Sequence, residues 1–342
     1  MEILDAATFV ALHGPLSYLV DGILLEGYLY SLTAKTGHGK TAVALELARC
    51  VMFEQPFGNR MVKRPGRVLY LIGENDIDTR MRYLAMSAHF EFDAETAPID
   101  FIPRSFAIAD ELENIRRRAD EIGGYALVVV DTSSAHFHGS DENSNTEMGD
   151  HARLQRQLCD LPGHPTVVTL CHPVKNPSPE NLIPRGGGAF VAEVDGNLSL
   201  WKDQSNLLTL HWQGKFRGPD FSEMKFGLEI VKDDRNRSVD GDLIPTVLAV
   251  ALTDADAERR EQHQVRDEDC LLSVMATNPK ASIAKLAEAC GWIGNTGQPQ
   301  KSKVNGLLNR LKKDGLVEQA RKRTWGLTEK GKDEANEIAS GS

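Results

Sequence analysis

The sequence predicts an α/β fold built on a mostly parallel sheet, with a small winged-helix domain behind it. Three observations carry this. Apolar runs of strand length alternate with helix-patterned stretches, the rhythm of βαβ units. The first run, Leu29–Thr33, leads into the small-residue loop Ala34-Lys35-Thr36-Gly37-His38-Gly39-Lys40-Thr41. Charge is split along the chain: residues 264–342 hold 13 Lys/Arg against 10 Asp/Glu, whereas the whole 342-residue chain is at −10.

Length and composition set bounds. A chain of 342 residues suits one large or two ordinary domains. No run of about 18 apolar residues is present, so no membrane span is expected. The N-terminus lacks a basic-then-apolar signal pattern, which predicts a cytoplasmic protein. The five cysteines (Cys50, Cys159, Cys171, Cys270, Cys290) form no C-x-x-C pair and sit in apolar patterns, which predicts reduced, buried thiols. The net charge argues against nucleic-acid binding over the whole surface.

Residues 1–28 read as a lead-in that covers a sheet edge or borders a base. The loop after Leu29–Thr33 has the form Ala/Gly-x4-Gly-Lys-Ser/Thr, with Ala34 in the first position. Backbone N–H groups of such a loop, and of the helix start behind it, face an anion. Ala34 through Thr41 is therefore the candidate ATP site. Lys40 is placed to reach the outer phosphates and the Thr41 hydroxyl to hold Mg²⁺. Gly37 and Gly39 supply backbone freedom. An ordinary glycine turn is the bland reading, and the acids found next weigh against it.

Residues 67–72 are a buried-strand pattern ending in Gly73-Glu74-Asn75-Asp76. An acid at the carboxyl end of a parallel strand is well placed for chemistry. Glu74 either polarises the attacking water or stands exposed beside a helix cap. Residues 77–90 read as a helix, 99–102 as a strand, and 108–122 as an amphipathic helix stopped by Gly123-Gly124. Residues 126–131 are an apolar run closed by Asp131, the Walker B form, whose carboxylate serves the metal. His136 and His138 lack further ligands at metal spacing and read as solvated. Residues 166–171 form another buried strand, ending at His172, which either reports the γ-phosphate or is structural. Residues 176–188 are a Pro/Gly-rich loop expected to be mobile, flanked by Lys175 and Arg185. Antiparallel strands follow around 198–201, 207–210 and 226–230, and an apolar run at 244–252 closes the core. Lys215 and Arg217, two apart at a strand end, point the same way. They are either a surface pair or reach a neighbouring subunit's nucleotide.

The domain reading is an ATPase domain over 1–254, a charged linker over 255–266 and a winged helix over 267–342. In the last, 267–278 reads as a helix and Ser282 caps a second. Residues 301–314 form a basic amphipathic helix, and a hairpin follows with Arg321-Lys322-Arg323 at its tip. The basic helix, with Lys301, Lys303 and Arg310, suits a major groove, and the hairpin tip suits phosphate. Protein binding is the other use of such a domain.

Together AKTGHGKT, LIGEND, VVVDTSS, TLCHPVK, PRGGGAF and the KFR pair resemble the RecA-like ATPase superfamily, and within it the RepA-type hexameric replicative helicases of phages and plasmids. The resemblance covers roughly residues 15–250. It implies a RecA-like core, ATP with Mg²⁺, and a homo-oligomer, most naturally a hexamer. It implies Glu74 as catalytic base, Asp131 at the metal and His172 as γ-phosphate sensor. It implies that Lys175 and Arg185 line a pore holding single-stranded DNA, and that Lys215 and Arg217 act across the subunit boundary. The loop at 176–188 departs from the pattern in holding few basic residues, and the winged helix is an addition.

The expectation is an ATP-hydrolysing DNA motor, a replicative helicase or remodeller, with single strands in its pore, duplex at its winged helix and a replication protein as partner. The alternative is a DNA-bound regulator or scaffold in which ATP controls assembly and the winged helix targets DNA or a protein. A small-molecule kinase has no use for the Lys215/Arg217 pair.

Overall fold

Strands whose residues are all buried lie in the middle of the main sheet, as expected where helices cover both faces of a sheet. The computed structural model describes residues 3–203, 206–279, 281–294, 297–319 and 325–340. The chain divides into two compact units, Met1–Thr253 and Asp254–Ser342.

The first unit opens with α1 (Ala6–Ala11) and a small hairpin, β1 (Tyr18–Val20) and β2 (Leu24–Leu25). Then come β3 (Leu29–Thr33), α2 (Lys40–Met52), β4 (Val68–Ile72), α3 (Asp76–His89), β5 (Ile99–Ile102), α4 (Ile108–Ile122), β6 (Leu127–Asp131), α5 (Asn145–Arg156), β7 (Thr166–Cys171) and α6 (Gly187–Glu193). Four longer or edge-forming strands complete it: β8 (Gly196–Lys202), β9 (Leu207–Phe216), β10 (Met224–Val231) and β11 (Thr246–Leu252). They form one nine-stranded sheet in the order β11-β10-β9-β8-β3-β7-β6-β4-β5. From β8 to β5 every pairing is parallel; β9, β10 and β11 are added antiparallel. This is an α/β fold with a RecA-like P-loop core.

Side-chain alternation sorts each strand between two cores. Tyr30, Val68, Tyr70, Leu127 and Val129 pack with Leu45 and Phe226 on one face. Leu29, Leu69, Leu71, Val128 and Val130 pack with Ile115 and Phe190 on the other. Each fully buried aliphatic side chain contributes about 1.5–3 kcal/mol, which makes the register of these strands hard to shift. Gly123 ends α4 in the left-handed conformation (φ 81°), as its sequence suggests. The carboxyl ends of β3, β4, β6 and β7 therefore stand side by side, where an open α/β sheet presents its ligand site.

The second unit contains α7 (Asp254–Thr277), α8 (Ile283–Ala289), α9 (Lys301–Lys313), the antiparallel pair β12 (Val317–Gln319) and β13 (Trp325–Leu327), and α10 (Glu329–Ser340). Its own core joins Leu271, Met275, Leu286, Val304, Leu308, Leu311 and Ala335. Ser282 caps α8 by accepting from Lys285 N.

Several expectations need correcting. Residues 255–266 are not a linker of irregular chain: α7 runs through them, because ADAERREQHQVR contains neither Gly nor Pro to break a helix. The closing helix α10 was not anticipated. Cys270 and Cys290 are only half-buried, whereas Cys50, Cys159 and Cys171 are buried. His136 is not solvated. It is buried, with Nδ1 3.2 Å from Phe106 O, while His138 is exposed. Arg321, Lys322 and Arg323 lie outside the described residues.

Candidate nucleotide site

A cavity of about 380 Å³ opens where the strand ends meet, lined by the loop residues Thr36, Gly37, Gly39, Lys40 and Thr41 and by Glu74, Thr132 and His172. The loop forms because β3, buried throughout, must hand over to α2 within six residues. Gly37 and Gly39 turn the chain at φ 77° and 81°. A Cβ on Gly39 would also stand 3.1 Å from Leu208 Cδ1. Gly39 caps α2 without a side-chain hydrogen bond, so the first N–H groups of the helix remain open toward the cavity. That is an anion cradle.

Lys40 is buried and donates to Ala34 O at 2.8 Å, folding over its own loop. Burial lowers its pKa, and the nearby Asp131, Cys171 and Glu74 act in the other direction. An ammonium held only by carbonyls and distant acids favours an arriving anion. Asp131 closes β6, buried, and accepts from Tyr70 Oη at 2.8 Å. Burial raises its pKa to about 6, against hydrogen bonds from Tyr70 and Thr41. The Thr41 hydroxyl and the buried Asp131 carboxylate, short of positive charge, are a fitting donor set for a hard divalent cation. Mg²⁺ held there would supply positive charge to the phosphates.

Glu74 follows β4 through Gly73, whose N donates to Asp131 O at 2.7 Å. A Cβ on Gly73 would lie 2.4 Å from Ala135 Cβ, so glycine is required for this close passage. Capping of α3 falls to Asn75, which accepts from Asp78 N at 3.0 Å. Glu74 is left to the cavity, where it accepts from Thr132 Oγ1 at 2.8 Å and stands 3.6 Å from His172 Nε2. His172 is half-buried, and burial and then Lys40 lower its pKa, which keeps it neutral near pH 7. A carboxylate, a neutral imidazole and an ammonium therefore converge beside the anion cradle.

The cavity also has an aliphatic part. Leu228 and Ile230 of β10 and Val247 of β11 line it with Arg82, Lys202 and Asn206. Ile230 is 77% exposed, although it sits in a strand. Arg82 is held by Asp78 at 2.7 Å and donates to Val247 O at 2.6 Å. A cavity that combines anion donors with an aliphatic wall suits a nucleotide. None of these wall residues was singled out from the sequence. Their apolar alternation reads as ordinary core, and only the sheet order brings β10 and β11 beside the loop.

The phosphate loop also leans on β8. His38 Nδ1 accepts from Lys202 N at 3.1 Å, its ring meets Trp201 edge-on at 5.0 Å, and Lys35 Nζ lies 4.7 Å above Trp201. Burial, with Lys202 and Lys35, lowers the pKa of His38 to about 4. It is a neutral acceptor here.

Lys215 and Arg217 do not line the cavity. Lys215 donates to Ala192 O, and Arg217 lies 3.3 Å from the buried Asp195, which also binds Arg156 at 2.9 Å. The Arg217 side chain is 62% exposed. Lys175 is exposed, and Arg185 lies 3.5 Å from Glu142. The loop between them is tied down more than its composition suggests. Arg185 N donates to His172 O at 2.8 Å, Val174 N to Ile183 O at 3.0 Å, and Leu182 N to Gln213 Oε1 at 2.6 Å. Asn197 Nδ2 adds a bond to Leu182 O at 2.8 Å. The sequence hides this because Gln213 and Asn197 come from two later strands.

Lys303 and Arg310 are occupied within the second unit. Lys303 pairs with Asp267 at 2.7 Å, and Arg310 with Glu268 at 2.9 Å. Both turn toward α7, because they flank the apolar stripe of α9. Lys301 is exposed.

A family model described as an AAA domain matches residues 2–178, a span that includes the phosphate loop, Glu74, Asp131 and His172. No curated protein matches the chain.

Proposed function

The chain belongs to the AAA-domain family of P-loop ATPases, and we propose that it is an oligomeric ATP-driven DNA motor of the RepA-like replicative type, a helicase or DNA remodeller. The observation that carries this is the convergence of Lys40, Thr41, Glu74 and His172 on one cavity, with the buried Asp131 carboxylate at the end of β6. ATP lies with its base on Leu228, Ile230 and Val247 and its phosphates on residues 34–41. Glu74 accepts a proton from the water that attacks the γ-phosphorus, and the bond to the ADP oxygen breaks. Lys40 offsets charge on the outer phosphates. His172, neutral, hydrogen-bonds the γ-phosphate. Thr41 and Asp131 would hold Mg²⁺, which would supply charge to the phosphates.

Arg217 and Lys215 act on the nucleotide of the neighbouring subunit. Their distance from the cavity of their own chain and the exposure of Arg217 support this reading. An arginine supplied across a boundary ties hydrolysis to assembly. The loop from Lys175 to Arg185, hydrogen-bonded at its base to His172, takes the single strand, and the winged helix takes duplex or a replication protein.

The second reading is a DNA-bound regulator in which ATP controls assembly. It is favoured by the sparse basic side chains of the loop and by the ion pairs that occupy Arg185, Lys303 and Arg310. ATP turnover measured without DNA, with single strands and with duplex, while light scattering follows mass, separates the two. Stimulation by single strands in an ATP-dependent oligomer is expected. A chain indifferent to single strands that binds duplex tightly would replace the motor by the regulator.

A further inference from the structure

The face of α9 turned away from its own core is chemically unusual. Val304, Leu307, Leu308 and Leu311 are buried, and Lys303 and Arg310 at the flanks are spent on Asp267 and Glu268. What remains exposed is Lys301, Ser302, Asn305, Gly306, Asn309, Lys312 and Lys313. No carboxylate occurs among the thirteen residues of the helix. An exposed helix face gains most from Ala, Glu, Lys or Gln, yet Ser302, Asn305, Gly306 and Asn309 are all weak helix formers. A Cβ on Gly306 would meet nothing within 4 Å, so no packing inside the molecule demands glycine there. Among the described residues no hydrogen bond engages the amide of Asn305 or Asn309. The face sacrifices helix propensity for two free amides and a shallow groove at Gly306, with cations at both ends.

This layout fits one partner. Lys301 and Lys313 lie twelve residues apart, about 18 Å along the axis, which exceeds the roughly 12 Å width of a major groove and carries them to the phosphates on both sides. Asn305 and Asn309 project from one face about 6 Å apart, near two base-pair steps. An asparagine amide matches the N7 acceptor and N6 donor of adenine in two bonds. Gly306, between them, lets the helix backbone approach the base edges. Lys312, 5.9 Å from the Trp325 ring of β13, adds a cation beside the hairpin.

We propose that the exposed face of α9 reads duplex DNA in the major groove, with Asn305 and Asn309 pairing with adenine and Lys301, Lys312 and Lys313 bonding phosphate. The chain then selects sites containing A·T pairs, and Lys303 and Arg310 brace α9 against α7 rather than touch DNA. This rests on the reading that the C-terminal unit meets duplex.

The test uses the full chain and a pool of short random duplexes, followed by anisotropy on the enriched duplex and on a G·C-only duplex. Fixed adenines are expected in the enriched pool. The variant Asn305→Ala/Asn309→Ala loses its preference for the enriched duplex by about tenfold or more, while its binding to the G·C-only duplex and its salt dependence are unchanged. Lys301→Ala/Lys313→Ala weakens both duplexes alike and lowers the salt slope by about 2. Lys303→Gln leaves that slope in place. A pool without fixed adenines, or a preference that survives loss of both asparagines, overturns the proposal. So does failure to bind any duplex by a chain that still turns over ATP, which would assign the face to a protein or an RNA. Turnover in the same samples keeps the two readings apart. A chain that selects duplex but lacks DNA-stimulated turnover refutes the motor and leaves this inference standing.

Discussion

At the scale of single residues the site depends on which groups are kept neutral and which are kept charged. Glu74 accepts from Thr132 Oγ1 and stands 3.6 Å from the neutral His172 imidazole, inside the cavity where an attacking water would be placed. Glu74→Gln should retain nucleotide binding and lower turnover by about a hundredfold or more, the scale of general-base loss. Unchanged turnover, measured by phosphate release, would take Glu74 out of the role. His151 makes a different prediction. It is buried on α5 beside Ser133 and Gln155, and burial lowers its pKa to about 4. Its unfolded form takes up a proton near pH 6.5 and its folded form only near 4. The folded state should therefore lose stability as pH falls through this window, by about 2–3 kcal/mol from this group. Asp131, raised to about 6, acts in the opposite sense between about pH 4 and 6. Denaturation of His151→Gln against wild type across pH 4–7 isolates the histidine term, and parallel pH curves would refute it.

At the scale of elements the loop after β7 is the informative case. Its Pro/Gly composition suggests freedom, yet Gln213 and Asn197 reach across from β9 and β8 to bind Leu182. Gln213→Ala should expose residues 176–186 to limited proteolysis and leave the melting temperature of the sheet within a few degrees. Equal resistance in both proteins would show that the clamp lies elsewhere. The same lesson holds for α9. Its amphipathic pattern is plain in the sequence, but which of its lysines and arginines face solvent depends on where Asp267 and Glu268 of α7 fall. Two of the predicted contacts, Lys303 and Arg310, lie on the flank that faces α7.

At the scale of the molecule the question is whether one chain holds a complete site. Arg217 is far enough round the sheet that it binds Asp195 and not the cavity of its own chain. If it serves a neighbour, Arg217→Ala should cut turnover by about a thousandfold while nucleotide binding persists. Mixing it with Lys40→Ala chains should restore part of the activity, since some boundaries then pair an intact cavity with an intact arginine. Activity of the mixture no greater than that of either variant would exclude a shared site.

The phosphate loop, the acids at the strand ends and the alternation of helix and strand were legible in the amino-acid order. Each is a local pattern: glycine where φ must be positive, apolar runs where both faces are covered, a carboxylate where a buried strand emerges. The order of strands, the aliphatic wall of Leu228, Ile230 and Val247, the clamp from Gln213 and the pairing of Lys303 and Arg310 were decided by tertiary structure alone. These contacts join residues far apart in the chain, and a side chain's partner depends on packing that no local pattern encodes.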